Sequence, residues 1–101
     1  MTNITTKETD KHVTVDIVGH AGYAEQGKDI VCAGVSTLAY ALINNLDKEN
    51  CGTKYSIKDG EMHIEFNLVS EKIKNIFETI NLGFSMLCVN YPENISIKNL
   101  N

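Results

Sequence analysis

Two residues that could together form a cysteine nucleophile lie twelve positions apart in this chain, His20 and Cys32. His20 follows a predicted strand, Cys32 lies in the first turn of a predicted helix, and a glycine-bounded loop joins them. A thiol becomes a nucleophile at neutral pH when its thiolate is stabilised and a base takes its proton. The segment can supply both, with Cys32 as the nucleophile and His20 as the base, while a buried, inert cysteine at a helix start is the alternative.

Asp29 directly precedes this helix and is a favoured N-cap residue. With Asp29 as the cap, Cys32 is the third helical residue, and the helix dipole favours its thiolate by about 0.3–1 kcal/mol. Because this contribution is modest, a protonated His20 is expected to provide the larger stabilisation. Asp29 acts as a cap in the simpler interpretation, and in the alternative it also orients His20 as the third member of a triad.

Five further residues around the pair are candidates for substrate or loop roles. Gly34 permits close approach of another backbone, either a substrate strand or a packing helix. Ser36 lies one turn beyond the cysteine and could contact substrate, although a back-bonded or exposed serine is the simpler interpretation. Gly22 and Gly27 lie near the ends of the loop, as a hinged lid requires, and Tyr23 could stack on a ligand. An ordinary connection of generous length is the alternative.

The remaining histidines and cysteines are expected to be structural. His12 and His63 lie on the polar sides of predicted strands and are expected to be solvated. Cys88 lies on the apolar stripe of the second helix and is expected to be a small core residue. Cys51 is expected to be reduced and exposed in a loop. With no CxxC pair, no zinc site is expected, and no cofactor is predicted.

Length and charge restrict the class of protein. The chain has 101 residues, which predicts a single domain over residues 1–101 with one modest core. Its net charge is −4 with scattered Lys and Arg, which argues against direct nucleic-acid binding and suits a basic protein or peptide partner. No signal peptide is apparent, and no apolar run approaches the roughly 18–20 residues of a membrane span. The predicted location is the cytoplasm, away from membranes.

Hydrophobic periodicity predicts four strands and two helices. The strands show apolar residues on one face only, so both helices must cover that face. This predicts an α+β two-layer sandwich, ferredoxin-like, with a four-stranded mainly antiparallel sheet whose open face is solvated or a dimer surface. The predicted elements are a strand at His12–Val18, a helix capped by Asp29 with Gly52 as its stop, strands at Lys54–Lys58 and Glu61–Leu68, a helix capped by Ser70 and ended by Pro92, and a last strand at Ile95 and Ile97.

Asp59-Gly60 predicts a two-residue hairpin turn of type I′ between the second and third strands. That turn sets a register in which apolar residues meet on one face. The predicted opposite pairs are Ile57 with Met62 and Tyr55 with Ile64. The resulting element order is β-α-β-β-α-β.

The stretch from Gly19 to Leu46 resembles the signature of the ribosomal-processing cysteine proteases (Prp). The match includes Gly19-His20-Ala21 and the run GKDIVCAGVS from Gly27 to Ser36. The resemblance implies that the histidine and the cysteine of these motifs form a catalytic dyad, in a small cytoplasmic homodimer with a loop over the site. Family members remove the N-terminal extension of large-subunit ribosomal protein twenty-seven after an aromatic-rich motif, so the resemblance implies that substrate.

The sequence therefore predicts a cysteine endopeptidase acting through a thioester intermediate. Backbone N–H groups at the helix start, including that of Cys32, are expected to stabilise the oxyanion. An apolar groove near Tyr23 is expected to bind the aromatic-rich extension. The alternative is a non-catalytic, ribosome-associated binding module in which Cys32 is merely packed.

Overall fold

The computed structural model describes residues 1–100, which form a five-stranded sheet with two helices packed on one face. The spatial order of strands is β3-β4-β2-β1-β5, and all neighbours are antiparallel except the parallel pair β1 and β5. The predicted α+β sandwich is thus confirmed. The elements are β1 (Thr2–Thr9), β2 (His12–Val18), α1 (Ile30–Leu46), β3 (Lys54–Lys58), β4 (Glu61–Asn67), α2 (Glu71–Asn90) and β5 (Ile95–Leu100).

The predicted number of strands is wrong, because an additional strand, β1, precedes the first predicted strand. The element order along residues 1–100 is therefore β-β-α-β-β-α-β. Strand β1 lies between β2 and β5. Its inward positions are Thr2, Ile4 and Thr6, and all three are buried. Two of these are threonines, so the strand lacks the apolar alternation that identifies a half-buried strand. Threonine nevertheless suits a strand sterically, because it is β-branched.

The turn at Asp59-Gly60 differs from the predicted turn type. Asp59-Gly60 joins β3 and β4 as predicted, but only Gly60 has a positive φ, of 70°. The type I′ assignment is therefore wrong, since that turn requires positive φ at both central residues. Both central residues do have positive φ at the turn between β1 and β2, with 50° at Asp10 and 65° at Lys11.

Each helix buries one stripe against the sheet. The Asp29 and Ser70 side chains cap α1 and α2 as predicted, while α1 ends at Leu46, earlier than the predicted stop at Gly52. Neither helix of the described residues is long and apolar enough to cross a membrane. The predicted hairpin register is confirmed, with Ile57 opposite Met62 and Tyr55 opposite Ile64. The buried apolar residues of these elements are Ile4, Val13, Val15, Ile17, Met62, Ile64, Phe66 and Ile95 in the sheet, Val31, Val35, Ala39, Leu42, Ile43 and Leu46 in α1, and Ile73, Ile80 and Phe84 in α2.

The three free cysteines lie in different surroundings. The expectation that Cys51 is exposed is wrong, since only 2% of the residue is accessible and its sulfur lies 3.2 Å from Thr53 Oγ1. Cys88 packs against the core as predicted, and its thiol donates to the Ile95 carbonyl at 3.4 Å. Cys32 is half-buried at the start of α1 and lines two cavities.

The open face of the sheet carries a cluster of charged side chains centred on His63. Its Nδ1 lies 2.6 Å from Asp16 Oδ1 and its Nε2 lies 2.8 Å from Glu65 Oε2. The hydrogen bond with Asp16 and then that with Glu65 raise the pKa of His63. His12 also joins this cluster, with Nδ1 2.9 Å from Asn67 Oδ1. Both histidines are thus engaged by side chains rather than simply solvated as expected.

Candidate active site

The end of β2 is fixed by close backbone contacts that place His20. Gly19 has a φ of 99°, and a Cβ there would overlap the carbonyl oxygen of Met1, so this position requires glycine. The Gly19 N–H donates to the Gly60 carbonyl at 2.8 Å, and its own carbonyl accepts from the Thr2 hydroxyl at 3.3 Å. His20 therefore leaves the strand beside the β3–β4 turn.

The imidazole of His20 rests on that turn. Its side chain is 60% exposed, and Nε2 lies 3.7 Å from Asp59 Oδ1, within ion-pair distance. A Cβ added to Gly60 would lie 3.0 Å from the same Nε2, so the ring packs closely against the turn. The carboxylate nearest to His20 in an observed contact is therefore Asp59, which the sequence did not identify.

Cys32 is the third residue of α1, in its first turn, and its sulfur accepts from a backbone donor. The N–H of Ala21 donates to Sγ at 3.3 Å. A donor aimed at sulfur stabilises the thiolate more than the thiol, because hydrogen bonds to a charged acceptor are stronger. Within residues 1–100, Cys32 and His20 share no hydrogen bond, although both line the same two cavities.

The buried carboxylate of Asp29 accepts four backbone hydrogen bonds. Oδ1 accepts from Val31 and Cys32, each at 3.0 Å, while Oδ2 accepts from Tyr23 at 2.9 Å and Ala24 at 3.2 Å. Burial raises the pKa of Asp29, but the four N–H donors, that of Cys32 foremost, outweigh it and hold the pKa below its usual range. Asp29 thus caps α1 and ties the loop to it.

These bonds bear on two expected roles. Within the described residues Asp29 makes no hydrogen bond to His20, so its observed role is capping and the geometry gives no support to an orienting role. The N–H of Cys32 points at Asp29 rather than into a cavity. Contrary to expectation, this amide is not free to stabilise an oxyanion.

The loop between His20 and α1 follows a path that needs two glycines. Gly22 has a φ of 71° and Gly27 a φ of 89°, and a Cβ at either would meet nothing within 4 Å, so the requirement is conformational rather than steric. Tyr23 packs edge-on against Tyr91, with ring centroids 5.4 Å apart. It lines neither cavity at Cys32, so neither of these cavities is a groove walled by Tyr23.

Two cavities meet at Cys32, and His20 and Ser36 line both of them. The first, called here the hairpin groove, lies between α1 and the β3–β4 turn and has a volume of about 210 Å³. The second, called the loop pocket, lies under the loop and measures about 440 Å³. The apolar side chains of the hairpin groove are Ile17, Val35, Tyr40, Ile57 and Met62. The loop pocket is also lined by Gly22, Ala24, Gln26, Gly27, Asp29 and Ala33.

Gly34 and Ser36, both candidates for substrate contact, face different surroundings. A Cβ on Gly34 would lie 3.2 Å from Leu87 Cδ1 in α2, so this glycine faces a packing helix rather than either cavity at Cys32. Ser36 is half-buried and makes no hydrogen bond within residues 1–100, so the back-bonded interpretation is not observed. Its hydroxyl is available to a ligand in either cavity.

Sequence reasoning missed three contributors to the site. Ala21 acts through its backbone N–H, which its side-chain type does not reveal. Asp59 was identified only as a turn residue, because nothing in the local pattern places that turn beside His20. Asn94 donates to the Ala21 carbonyl at 3.0 Å from 73 positions along the chain, a separation that no local motif detects. No group of three His, Cys, Asp or Glu residues that could hold a metal ion occurs in the described part of the chain.

Comparisons with known proteins agree with this chemistry. The family model described as cysteine protease Prp matches residues 1–96. The ribosomal processing cysteine protease Prp of Staphylococcus aureus is 29% identical over 99 residues, which cover 94% of this chain and 93% of that protein. The crystal structure of the essential ribosomal processing protease Prp from S. aureus, in complex with a covalently linked product peptide, matches with a TM-score of 0.89 and 26% identity, covering 98% of this chain and 99% of that one. The crystal structure of SMU.848 from Streptococcus mutans matches with a TM-score of 0.78 and 33% identity. The match covers 99% of this chain and 94% of that chain.

The half-buried cysteine at the helix start and the exposed histidine line the same two cavities, an arrangement compatible with a thiol-dependent hydrolase. The chain belongs to the cysteine protease Prp family, whose model covers all but its last five residues. It is therefore a cysteine protease that acts on a peptide or protein substrate, as the sequence predicts.

Proposed function

We propose that this protease removes the N-terminal extension of large-subunit ribosomal protein twenty-seven, with Cys32 as nucleophile and His20 as base. The observation that carries the proposal is that His20 and Cys32 line both cavities that meet at the sulfur. A substrate strand passing from one cavity to the other would bring its scissile bond to Cys32. The name of the S. aureus relative, a ribosomal processing protease, supports a ribosomal substrate.

The proposed reaction begins with proton transfer from the Cys32 thiol to His20. The imidazole is largely exposed and lines the same two cavities as the sulfur, so no buried packing prevents their approach. The thiolate attacks the scissile carbonyl carbon, and the tetrahedral intermediate collapses to a thioester as His20 returns its proton to the leaving amine. Water, deprotonated by His20, then attacks the thioester, which releases the second product and restores the thiol.

The amide of Ala21 is the proposed backbone donor for the developing oxyanion. It donates to the sulfur in the resting site, and once sulfur bonds to carbon the new oxyanion lies beside the same amide. The Cys32 amide is already held by Asp29, so the donor comes from the loop rather than from the helix start. Asn94 holds the adjacent Ala21 carbonyl, which keeps this backbone in place.

The hairpin groove is the proposed binding site for the aromatic-rich extension. Tyr40 and Ile57 on its walls are 45% and 41% exposed, and exposed apolar side chains beside a reactive group are typical of a binding surface. Tyr40→Ala and Ile57→Ser should each raise KM for the extension peptide about threefold to tenfold, as expected for losing about 1 kcal/mol of apolar contact. Tyr23→Ala is the matched control and should leave KM unchanged, because Tyr23 packs on Tyr91 outside the groove.

The direct test is cleavage of a peptide spanning the N-terminal extension of the source organism's own protein twenty-seven. Wild type and Cys32→Ala are incubated with the peptide, and the products are identified by mass spectrometry. A single cut by wild type alone is the expected result. Binding of the peptide without any cut by wild type would overturn the proposed substrate.

The assignment of the nucleophile is tested by alkylation with iodoacetamide. Cys32 should react much faster than Cys51, which is buried and serves as the internal control. The advantage should be lost in His20→Ala. Equal, slow labelling of all three cysteines would contradict a dyad.

The proposed setting is a cytoplasmic homodimer without direct contact to nucleic acid or membrane. The net charge of −4 opposes binding to phosphate backbones. Sedimentation at micromolar concentration tests the dimer, and a monomer at all concentrations would contradict it.

A further inference from the structure

We infer that Asp59 is a positioning residue for His20 and that it makes Nδ1 the nitrogen that takes the Cys32 proton. The inference rests on the proposed dyad and adds a third member to it. Asp59 Oδ1 lies 3.7 Å from His20 Nε2, and both residues line the hairpin groove together with Cys32.

A second observation ties the imidazole to the same turn. A Cβ on Gly60 would lie 3.0 Å from Nε2, 3.5 Å from Cδ2 and 3.6 Å from Cε1 of His20. The ring therefore lies against the Gly60 backbone along the edge that carries Nε2. Since the Gly60 carbonyl also accepts from the Gly19 N–H at 2.8 Å, the turn and the backbone before His20 are held as one unit.

The consequence for catalysis follows from imidazole chemistry. In the neutral ring one nitrogen carries hydrogen and the other a lone pair, and a partner at one nitrogen fixes which is which. The Asp59 carboxylate 3.7 Å from Nε2 favours the tautomer with hydrogen on Nε2, which leaves the lone pair on Nδ1. The proton then passes from Cys32 Sγ to Nδ1, which leaves a thiolate and an imidazolium whose positive charge is next to the Asp59 carboxylate.

Asp29, the acidic residue closest in sequence to the dyad, does not compete for this role. Its two oxygens are occupied by four backbone amides. The division is therefore clear: Asp29 fixes the backbone around Cys32, and Asp59 orients the base.

The experiment compares Asp59→Asn and Asp59→Ala with Asp10→Asn. Asn keeps an acceptor for Nε2–H but removes the charge, whereas Ala removes both. Because exposed charges a few ångströms apart interact weakly, kcat for the extension peptide should fall about twofold in Asp59→Asn and about threefold to fivefold in Asp59→Ala, with KM little changed. Asp10 lies in the turn at the opposite end of the sheet, so Asp10→Asn should retain wild-type kcat.

Salt provides a readout that a merely structural role would not move. Screening at about 1 M salt reduces the Debye length to about 3 Å, which weakens an exposed ion pair. The ratio of wild-type to Asp59→Asn rates of Cys32 alkylation by uncharged iodoacetamide should therefore approach one as salt rises. A ratio that is one at low salt as well would overturn the inference.

The outcomes separate this inference from the proposed function. If Cys32→Ala and His20→Ala are inactive while Asp59→Ala keeps wild-type kcat and alkylation rate, the dyad stands and the role of Asp59 is refuted. If Cys32→Ala still cleaves the peptide, the proposed function itself fails. Thermal unfolding of each variant shows whether a lost rate reflects lost folding.

Discussion

His63 lies within β4 on the open face of the sheet, and His20 follows the end of β2 beside the β3–β4 turn, so their surroundings differ in kind. Both ring nitrogens of His63 are bound, to Asp16 at 2.6 Å and to Glu65 at 2.8 Å. His20 is more exposed, and within the described residues its one polar side-chain contact is the 3.7 Å approach of Asp59.

The difference shows what makes a histidine available for proton transfer. A ring with both nitrogens hydrogen-bonded to carboxylates has a raised pKa and both nitrogens engaged, so His63 serves the folded state. A ring bound at one nitrogen only keeps the other for a substrate or a thiol, so His20 suits catalysis. Changes at His63 should therefore alter stability, and changes at His20 should alter activity.

The largest expected effect tests the activity side of this comparison. His20→Ala should reduce kcat/KM for the extension peptide by about 10²–10⁴-fold, the range for loss of a general base, with an unchanged unfolding midpoint. His63→Gln is the matched control and should retain wild-type kcat/KM. Peptide cleavage measures kcat/KM, and thermal unfolding measures the midpoint. Comparable losses of kcat/KM in His20→Ala and His63→Gln would contradict the separate roles of the two histidines.

The next largest effect is expected at Asp29, which is close to the dyad but serves the fold. Asp29→Ala leaves four backbone N–H groups without their acceptor and should lower the free energy of unfolding by about 2–3 kcal/mol at neutral pH. Because the pKa of Asp29 is depressed in the folded state, this stability is present above its unfolded pKa near 3.9 and is lost as pH falls through the folded pKa.

Urea unfolding of wild type and Asp29→Ala at neutral pH and below about pH 3 measures this dependence. The difference between the two proteins should shrink in acid. A difference that stays constant with pH would mean that the ionised carboxylate is not the stabilising group.

A smaller effect is expected for His63→Gln on stability. The hydrogen bonds with Asp16 and Glu65 are half-exposed, so their loss should cost about 1 kcal/mol or less. Because the pKa of His63 is raised in the folded state, its contribution is fully present below the unfolded pKa of about 6.5 and is lost as pH rises through the folded pKa. Urea unfolding of wild type and His63→Gln should be measured below and above the folded pKa of His63. The loss of unfolding free energy in His63→Gln should be larger at the lower pH, and a larger loss at the higher pH would contradict a stabilising role for the protonated ring.

The smallest effect is expected at His12, at the margin of the same cluster. Its Nε2 lies 3.6 Å from Glu65 and its side chain is 42% exposed, so His12→Gln should change the free energy of unfolding by about 0.5 kcal/mol or less. Urea unfolding beside His63→Gln provides the measurement. A cost equal to that of His63→Gln would show that the cluster acts as one cooperative unit.

The parts of the fold that the sequence predicted are those specified by local chemistry. Asp29 and Ser70 are N-cap residues with matching periodic segments behind them, and Asp59-Gly60 fixed the hairpin register. Strand β1 was not predicted, because two of its buried positions, Thr2 and Thr6, carry polar residues and so hide the apolar alternation. Threonine hydroxyls can be buried when neighbouring groups accept their hydrogen bonds, as Thr2 does with Gly19.

The candidate site divides in the same way. His20, Cys32 and the Asp29 cap lie within one local segment, and the resemblance of that segment to the Prp signature, rather than the spacing of the pair alone, identified the dyad. Asp59 and Asn94 reach that segment from distant parts of the chain, and only the packing of the sheet brings them there. The hydrogen bond from the Cys32 amide to Asp29 also could not be predicted. Asp29 accepts from four amides, and two of these belong to the loop, so the set depends on the path of the loop.

The close packing of Met1 against Gly19 has a practical consequence for anyone who produces this protein. Residues fused ahead of Met1 would emerge beside His20 and the hairpin groove, which Thr2 helps to line. Strand β5 runs parallel to β1 and ends beside Lys7, at the far edge of the sheet. An affinity tag is therefore better attached at the carboxyl end, and an amino-terminal tag that remains uncleaved should be expected to obstruct the very groove that an assay is meant to probe.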